Sequence, residues 1–269
     1  MAIESIISEI PTSFQWDGTS GDDFANLTFL EDAFDFISVT TGLGNDTVIL
    51  GGGDDSVDAS GGDNYISSGD GADFVLTGAG NDTVYAGRGD DFIVSIGGDN
   101  VIRGGHGNDT IITGDGNDLI LGDKGRNFID AGAGNDTINT GDHSSTINGG
   151  EGDDIIVARL KKGAAHELTG GAGADSFEFI QAGAKKIAHV TITDFNAAED
   201  TIIVDGIDAQ AEFFDAFFST EPSDFFGGLA EVDGSTEITI GNGDTITLLN
   251  VSVGEFITSM FEEYVPIVG

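Results

Sequence analysis

Between residues 41 and 157 a nine-residue unit recurs thirteen times without a slip in phase, from TGLGNDTVI at 41–49 to GGEGDDIIV at 149–157. With each unit numbered one to nine, Gly holds position four in twelve copies, Asp holds position six in nine, and Val or Ile holds position eight in all thirteen. A ladder that regular is the signature of a solenoid, in which each unit buries its apolar residue only by stacking on its neighbours. A flexible acidic linker, the other origin of Gly–Asp runs, has no reason to keep Val or Ile at every ninth residue.

The last three positions of each unit place one apolar side chain between two others, the period-two pattern of a very short strand. Val48, Val57, Ile66, Val75, Val84, Ile93, Ile102, Ile111, Ile120, Ile129, Ile138, Ile147 and Ile156 are then the core. The six residues before them turn the chain tightly, which suits Gly because it reaches positive φ without steric cost. Two units make one full coil, so position-six side chains eighteen residues apart face each other across adjacent coils. Stacked carboxylates repel unless a cation sits between them, and a hard ion wanting six to eight oxygens is served by two Asp side chains plus turn carbonyls. That ion is Ca2+. With no Cys and four scattered His residues, soft or nitrogen-rich ligand sets are absent. The expected ligands are Asp46, Asp55, Asn64, Asp73, Asp82, Asp91, Asn100, Asp109, Asp118, Asn127, Asp136 and Asp154.

These units resemble the RTX family of bacterial secreted proteins, whose G-G-x-G-x-D-x-U-x repeats bind calcium in such turns. GGAGADSFEF at 170–179 is similar to one more copy and adds Asp175 to the ligands, and ITDFNAAEDTIIVDG at 192–206 is similar to the segment that follows the repeats in RTX proteins. The resemblance implies an all-β fold: a parallel β-roll at 41–178, a short N-terminal cap at 1–40, and a small α+β C-terminal module at 179–269 carrying an uncleaved signal for a type I secretion exporter. It also implies an extracellular protein, free or at the cell surface. The start MAIESIISEIPTSFQWDG lacks the cationic, apolar pattern of a cleaved signal peptide.

Composition bounds the partners. Nine basic against 48 acidic residues leave a formal charge of −39, so the chain repels itself unless counterions bind. Nucleic acid and anionic membranes are excluded as partners on the same ground, and no stretch approaches the roughly 18 apolar residues of a membrane span.

Departures from the repeat grade the sites. Asn64, Asn100 and Asn127 keep an oxygen but lose the charge, so weaker binding is expected there, whereas Asp55, Asp73, Asp91 and Asp109 form an all-Asp column. The unit at 140 has Ser145 at position six and His143 at position four, which predicts a distorted turn. Arg88-Gly89-Asp90 resembles the integrin tripeptide, but x-G-D-D is what this repeat makes by default. ARLKKGAAHELT at 158–169 breaks the period, and its HELTG has no second His at the spacing a zinc protease needs.

Outside the repeats, GTSGDDFAN at 18–26 resembles a degenerate copy out of phase, and 27–40 reads as strands capping the roll. Residues 1–17 suit a short strand or a helix. AEFFDAFF at 211–218 pairs Phe213 with Phe217 and Phe214 with Phe218 at helical spacing, Gly241-Asn242-Gly243-Asp244 marks a hairpin, and GEFITSMFEEYVPIVG predicts a short helix. The positions flanking the core are unusually apolar for a soluble monomer: Phe74, Leu76, Phe92, Val94, Ile112 and Phe128 on one sheet, and Ile49, Tyr65, Tyr85, Val101, Leu119, Leu121, Ile155 and Val157 on the other.

Two function classes follow. One is a secreted calcium-binding structural or adhesive protein that folds on meeting calcium and self-assembles into a homo-oligomer, fibre, matrix or surface layer. The other is a polysaccharide-acting or other enzyme on a β-roll scaffold. The sequence favours the first, because it offers no Ser/His/Asp, Cys/His or zinc constellation, and its carboxylates are too many for an acid–base pair to be singled out. Ice binding is disfavoured because position three, from Leu43 through Arg88 and Lys124 to Glu151, forms no uniform Thr or Asn row.

Overall fold

A computed structural model describes residues 13–28, 35–181, 188–205, 207–208, 226–240 and 243–262. The chain winds as a parallel β-solenoid of two facing sheets, one of thirteen strands and one of eleven, with successive strands alternating between them. The register repeats every eighteen residues: Tyr65 pairs Thr83, Thr83 pairs Val101 and Val101 pairs Leu119 in the smaller sheet. In the larger sheet Ser56 pairs Phe74 and Phe74 pairs Phe92. Two nonapeptides therefore make one coil, as the spacing predicts.

The position-eight residues are buried from Val48 through Ile156 and meet between the sheets in one continuous core. Most strands run six residues rather than three. Phe74–Ala79, for instance, continues past position nine into the next unit and buries position one as well. This second inner column holds Leu50, Ala59, Ser68, Thr77, Ala86, Ser95, Thr113, Ala131 and Thr140. Its hydroxyls find partners inside the core: Thr77 meets Ser95 at 2.7 Å and Ser68 donates to the Ala86 carbonyl at 3.0 Å. The buried hydroxyls of Thr77, Ser95, Ser68 and Thr113 are tolerated because each is satisfied by the coil above or below.

The ladder outruns the repeats at both ends. Strands Ser13–Asp17 and Phe36–Thr40 continue the larger sheet, and Phe24–Asn26 continues the smaller one, all in parallel register. The described N-terminal strands thus add parallel coils to that end of the roll. At the other end the period-breaking 158–169 segment forms a turn after Leu160, and the strand Ala165–Ala172 rejoins the sheet beside Thr146–Glu151. Neither 40/41 nor 178/179 marks an edge in the sheets.

The larger sheet closes with a meander. Thr245–Leu248 pairs parallel with His189–Ile192, the hairpin through Gly243-Asp244 sets Ser235–Ile240 antiparallel to it, and Phe226–Val232 pairs antiparallel with Ser235–Ile240 in turn. Helix Val253–Glu262 follows, started by a reciprocal capping box in which the Glu255 N–H donates to the Ser252 hydroxyl (3.1 Å) and the Ser252 N–H donates to the Glu255 carboxylate (2.9 Å). Its Phe256 is only 2% exposed, and its ring stands 6.2 Å from Phe195, which stands 6.2 Å from Phe177 in the roll. The predicted Phe213–Phe217 and Phe214–Phe218 pairs lie outside the described residues.

Candidate metal sites

The turns between the sheets stack along two edges of the roll. On the first edge stand Asp55, Asp73, Asp91, Asp109, Asn127 and Ser145; on the second stand Asp46, Asn64, Asp82, Asn100, Asp118, Asp136, Asp154 and Asp175. All thirteen residues expected as ligands are therefore in two columns, and all are buried. Position-four Gly makes this stacking possible. Gly89 has φ +132°, and a Cβ there would run into the carbonyl of Gly71 in the coil before.

The carboxylates do not simply face each other. One oxygen of each reaches back to the backbone N–H of the position-six residue one coil earlier: Asp73 accepts from Asp55 (2.8 Å), Asp91 from Asp73 (2.9 Å), Asp118 from Asn100 (2.7 Å) and Asp154 from Asp136 (2.8 Å). Position five forms an opposite ladder that the periodicity gave no reason to expect. There the side chain accepts from the coil after it, as Asp63 does from Asn81 and Asn117 from Asn135. Where position five is Asp or Asn, a coil is thus tied to the next by two side chain–backbone bonds of opposite sense at the turn; Ala72 and Arg126 interrupt this ladder.

Each inward carboxylate still has a second oxygen. In Asp46, Asp55, Asp73, Asp82, Asp91, Asp109, Asp118, Asp136 and Asp154 this Oδ2 is buried and has no hydrogen-bond partner. Nine orphaned anionic oxygens in register are costly unless something positive meets them. Burial pushes the carboxyls up, to about 7 for Asp55, Asp91 and Asp136 and to about 6 for Asp73, Asp109 and Asp154; the backbone N–H each accepts works in the other direction. Asp82, Asp118 and Asp175 are raised for the same reason.

Calcium fits this donor set. It is a hard cation that takes carboxylate and backbone oxygens, and those are the groups the turns supply. Among the described residues no three His, Cys, Asp or Glu side chains cluster as a metal-holding group, and an ion held here would need turn carbonyls beside the Asp oxygens. His143 does not join the column: its Nδ1 accepts the N–H of Gly125 at 3.3 Å. Arg88 of the Arg-Gly-Asp triplet turns to Asp70 at 3.4 Å.

The columns are longer than the repeats suggest. Asp23 donates its N–H to Asp46 (2.8 Å), and Asp200 accepts from Asp175 (3.0 Å), so both extend the second edge. At these ends the chain supplies its own donors: the Thr19 N–H to Asp23 at 2.6 Å and the Asn196 N–H to Asp200 at 2.7 Å. Asp244 repeats the motif in the meander by accepting from Ala188 at 2.7 Å. Nonapeptide counting misses these residues because the spacings into and out of them differ from eighteen. The signal that finds them is the triplet Asp-x-apolar: Asp23-Phe24-Ala25, Asp200-Thr201-Ile202 and Asp244-Thr245-Ile246.

Comparison with known families agrees with this geometry. Residues 40–75, 67–95, 96–129, 112–142 and 130–159 match the model of the RTX calcium-binding nonapeptide repeat, which spans four copies of the unit. No curated protein matches the chain.

Proposed function

Residues 40–159 are RTX calcium-binding nonapeptide repeats, and from that premise we propose that the protein is a secreted, non-catalytic structural or adhesive component that folds on meeting extracellular calcium and then associates with copies of itself. The observation that carries this reading is the double column of nine buried Oδ2 atoms without donors. In a chain of formal charge −39, such columns resist closure until cations neutralise them. Asp46, Asp55, Asp73, Asp82, Asp91, Asp109, Asp118, Asp136, Asp154 and Asp175 would hold the ions together with turn carbonyls, and the bound ion supplies the positive charge that lets adjacent turns close. Where calcium is scarce the chain stays open, which suits passage through a type I exporter guided by residues 179–269; outside the cell, calcium closes it.

Support for association comes from the outer faces. Phe74 and Phe92 are 41% and 39% exposed, and their rings stack at 5.6 Å with an interplanar angle of 4°. On the other sheet Tyr65 and Tyr85 stand 5.8 Å apart, with Leu119 and Ile155 exposed further along. Rows of exposed rings and aliphatic side chains along a flat parallel sheet are what a second roll would cover. Light scattering in excess calcium tests this. The wild type should associate, and the double variant Phe74→Ser, Phe92→Ser should keep its calcium-dependent fold and remain monomeric. A wild type that stays monomeric at high protein concentration contradicts the self-assembly reading.

A further inference from the structure

The four units that lack Asp at position six show what occupies the ion's place when no ion is needed. In Asn64 the side-chain Oδ1 accepts the Asp46 N–H at 3.0 Å, just as an Asp oxygen does, and this fixes the orientation of the amide. The Nδ2 then occupies the position of the orphaned Oδ2. It donates to the carbonyls of position one, Ala59 (3.2 Å), and position four, Gly62 (2.9 Å), within its own unit. Asn100 makes the position-four bond to Gly98 at 2.8 Å, and Asn127 makes the position-one bond to Gly122 at 2.7 Å. Ser145 does the same with a hydroxyl, 3.2 Å from both the Thr140 and the His143 carbonyl.

Carbonyl oxygens therefore meet the end of the position-six side chain, two at Asn64 and Ser145 and one at Asn100 and Asn127. Where that end is N–H or O–H, the turn is satisfied within the chain. Where it is a carboxylate oxygen, that end offers no donor, and a cation or a proton is needed to meet it. Resting on the calcium reading above, we infer that Asn64, Asn100, Asn127 and Ser145 mark turns that hold no ion of their own, their side-chain donors taking the cation's place, so that calcium goes to the Asp units alone. The sequence predicts weaker sites at the Asn positions; the geometry replaces them there with built-in closures.

On the first edge Asn127 and Ser145 are consecutive, and ion pairs stand on the coils around them as they also do beside the all-Asp turns, where Arg88 pairs with Asp70. Arg103 pairs with Asp123, Arg159 (3.5 Å) and Lys161 pair with Asp142, and Lys124 stands 3.0 Å from the His106 ring. On the second edge Asn64 and Asn100 instead alternate with Asp82 and Asp118, spacing closed turns between ion-binding ones.

Equilibrium dialysis of the full chain with radioactive calcium, paired with circular dichroism in excess chelator, tests the assignment. The double variant Asn64→Asp, Asn100→Asp should bind more calcium per chain than the wild type and lose β signal in chelator. Asp91→Asn, which keeps the backbone bond and supplies the donor, should bind less calcium and hold more β signal in chelator. An unchanged calcium count in either variant overturns the inference. A wild type that binds no calcium overturns the functional reading beneath it, which is a separate result. Should the double variant fail to fold in calcium, the Asp91→Asn count decides alone, since that change removes charge from an intact turn.

Discussion

The Asp55 N–H donates to Oδ1 of Asp73 at 2.8 Å across adjacent coils, while Oδ2 of Asp73 is buried with no donor. One side chain thus does two jobs: it fixes the register of the turn and exposes an anionic oxygen to an ion. The jobs separate by mutation. In excess calcium both Asp73→Asn and Asp73→Ala lose an anionic oxygen, but Asp73→Ala also leaves the buried Asp55 N–H unpaired and should be less stable than Asp73→Asn by about 1–3 kcal/mol. Thermal denaturation of the two variants side by side checks this; equal losses would mean the backbone bond contributes little.

The orphaned oxygens give the calcium-free roll a pH dependence. Burial raises Asp55, Asp91 and Asp136 to about 7 and Asp73, Asp109 and Asp154 to about 6, from 3.8. The folded roll therefore holds protons more tightly than the unfolded chain. The contribution of these carboxyls to its stability is fully present below pH 3.8 and is lost as pH rises through 6 and 7. In chelator, β signal should grow on acidification from about pH 8 to about pH 5, and calcium affinity should fall over the same window as protons compete. Relief of general charge repulsion acts in the same direction, so the decisive comparison is Asp55→Asn with Asp91→Asn, which should flatten the curve. Signal that falls on acidification would contradict the account.

The inner column makes each coil depend on its neighbours. Ile111 is fully buried between Ile93 and Ile129 in the ladder. Ile111→Ala should cost about 2–5 kcal/mol in calcium, and the outward Ile112→Ala much less. Denaturant titration in excess calcium measures both, and similar losses would argue that the two faces are equally covered.

How much of this was legible depended on which physics carried the information. Ile102 and its equivalents were readable because burial in a stacked coil demands the same residue type at the same phase. The Asp91 column was readable for the same reason. Position one was not: Thr77 and Ser95 look like turn residues until the strand is seen to continue and bury them against each other. The position-five ladder and the donors of Asn64 were hidden because side chain–backbone bonds depend on the rise between coils, which no pattern of residue types states. Asp23 and Asp200 fell out of count because spacings of 23 residues to Asp46 and 25 from Asp175 interrupt the eighteen-residue period while the strands keep register.

Close stacking sets a limit on side chains at position four. Gly89→Ala would place a methyl at φ +132° against the Gly71 carbonyl. Conformational strain alone costs about 1–3 kcal/mol, and the clash adds to it. The variant should unfold at lower temperature in calcium than the wild type; the same change at Gly163, where nothing stands within 4 Å, meets strain but no neighbour and should cost less. Equal melting shifts would mean that the coils give way easily.

The central claim is that calcium and folding are one equilibrium. Binding confined to the folded state stabilises it by RT ln(1 + [L]/Kd) at each site, about 2.7 kcal/mol for a hundredfold excess over Kd, and the columns repeat that gain along the roll. Far-ultraviolet circular dichroism of the full chain, titrated with calcium from a chelated start, measures the coupling directly. The account predicts a largely unfolded spectrum in chelator and a steep, reversible gain of β signal as calcium is added. An unchanged β spectrum with intact thermal stability in chelator would contradict it.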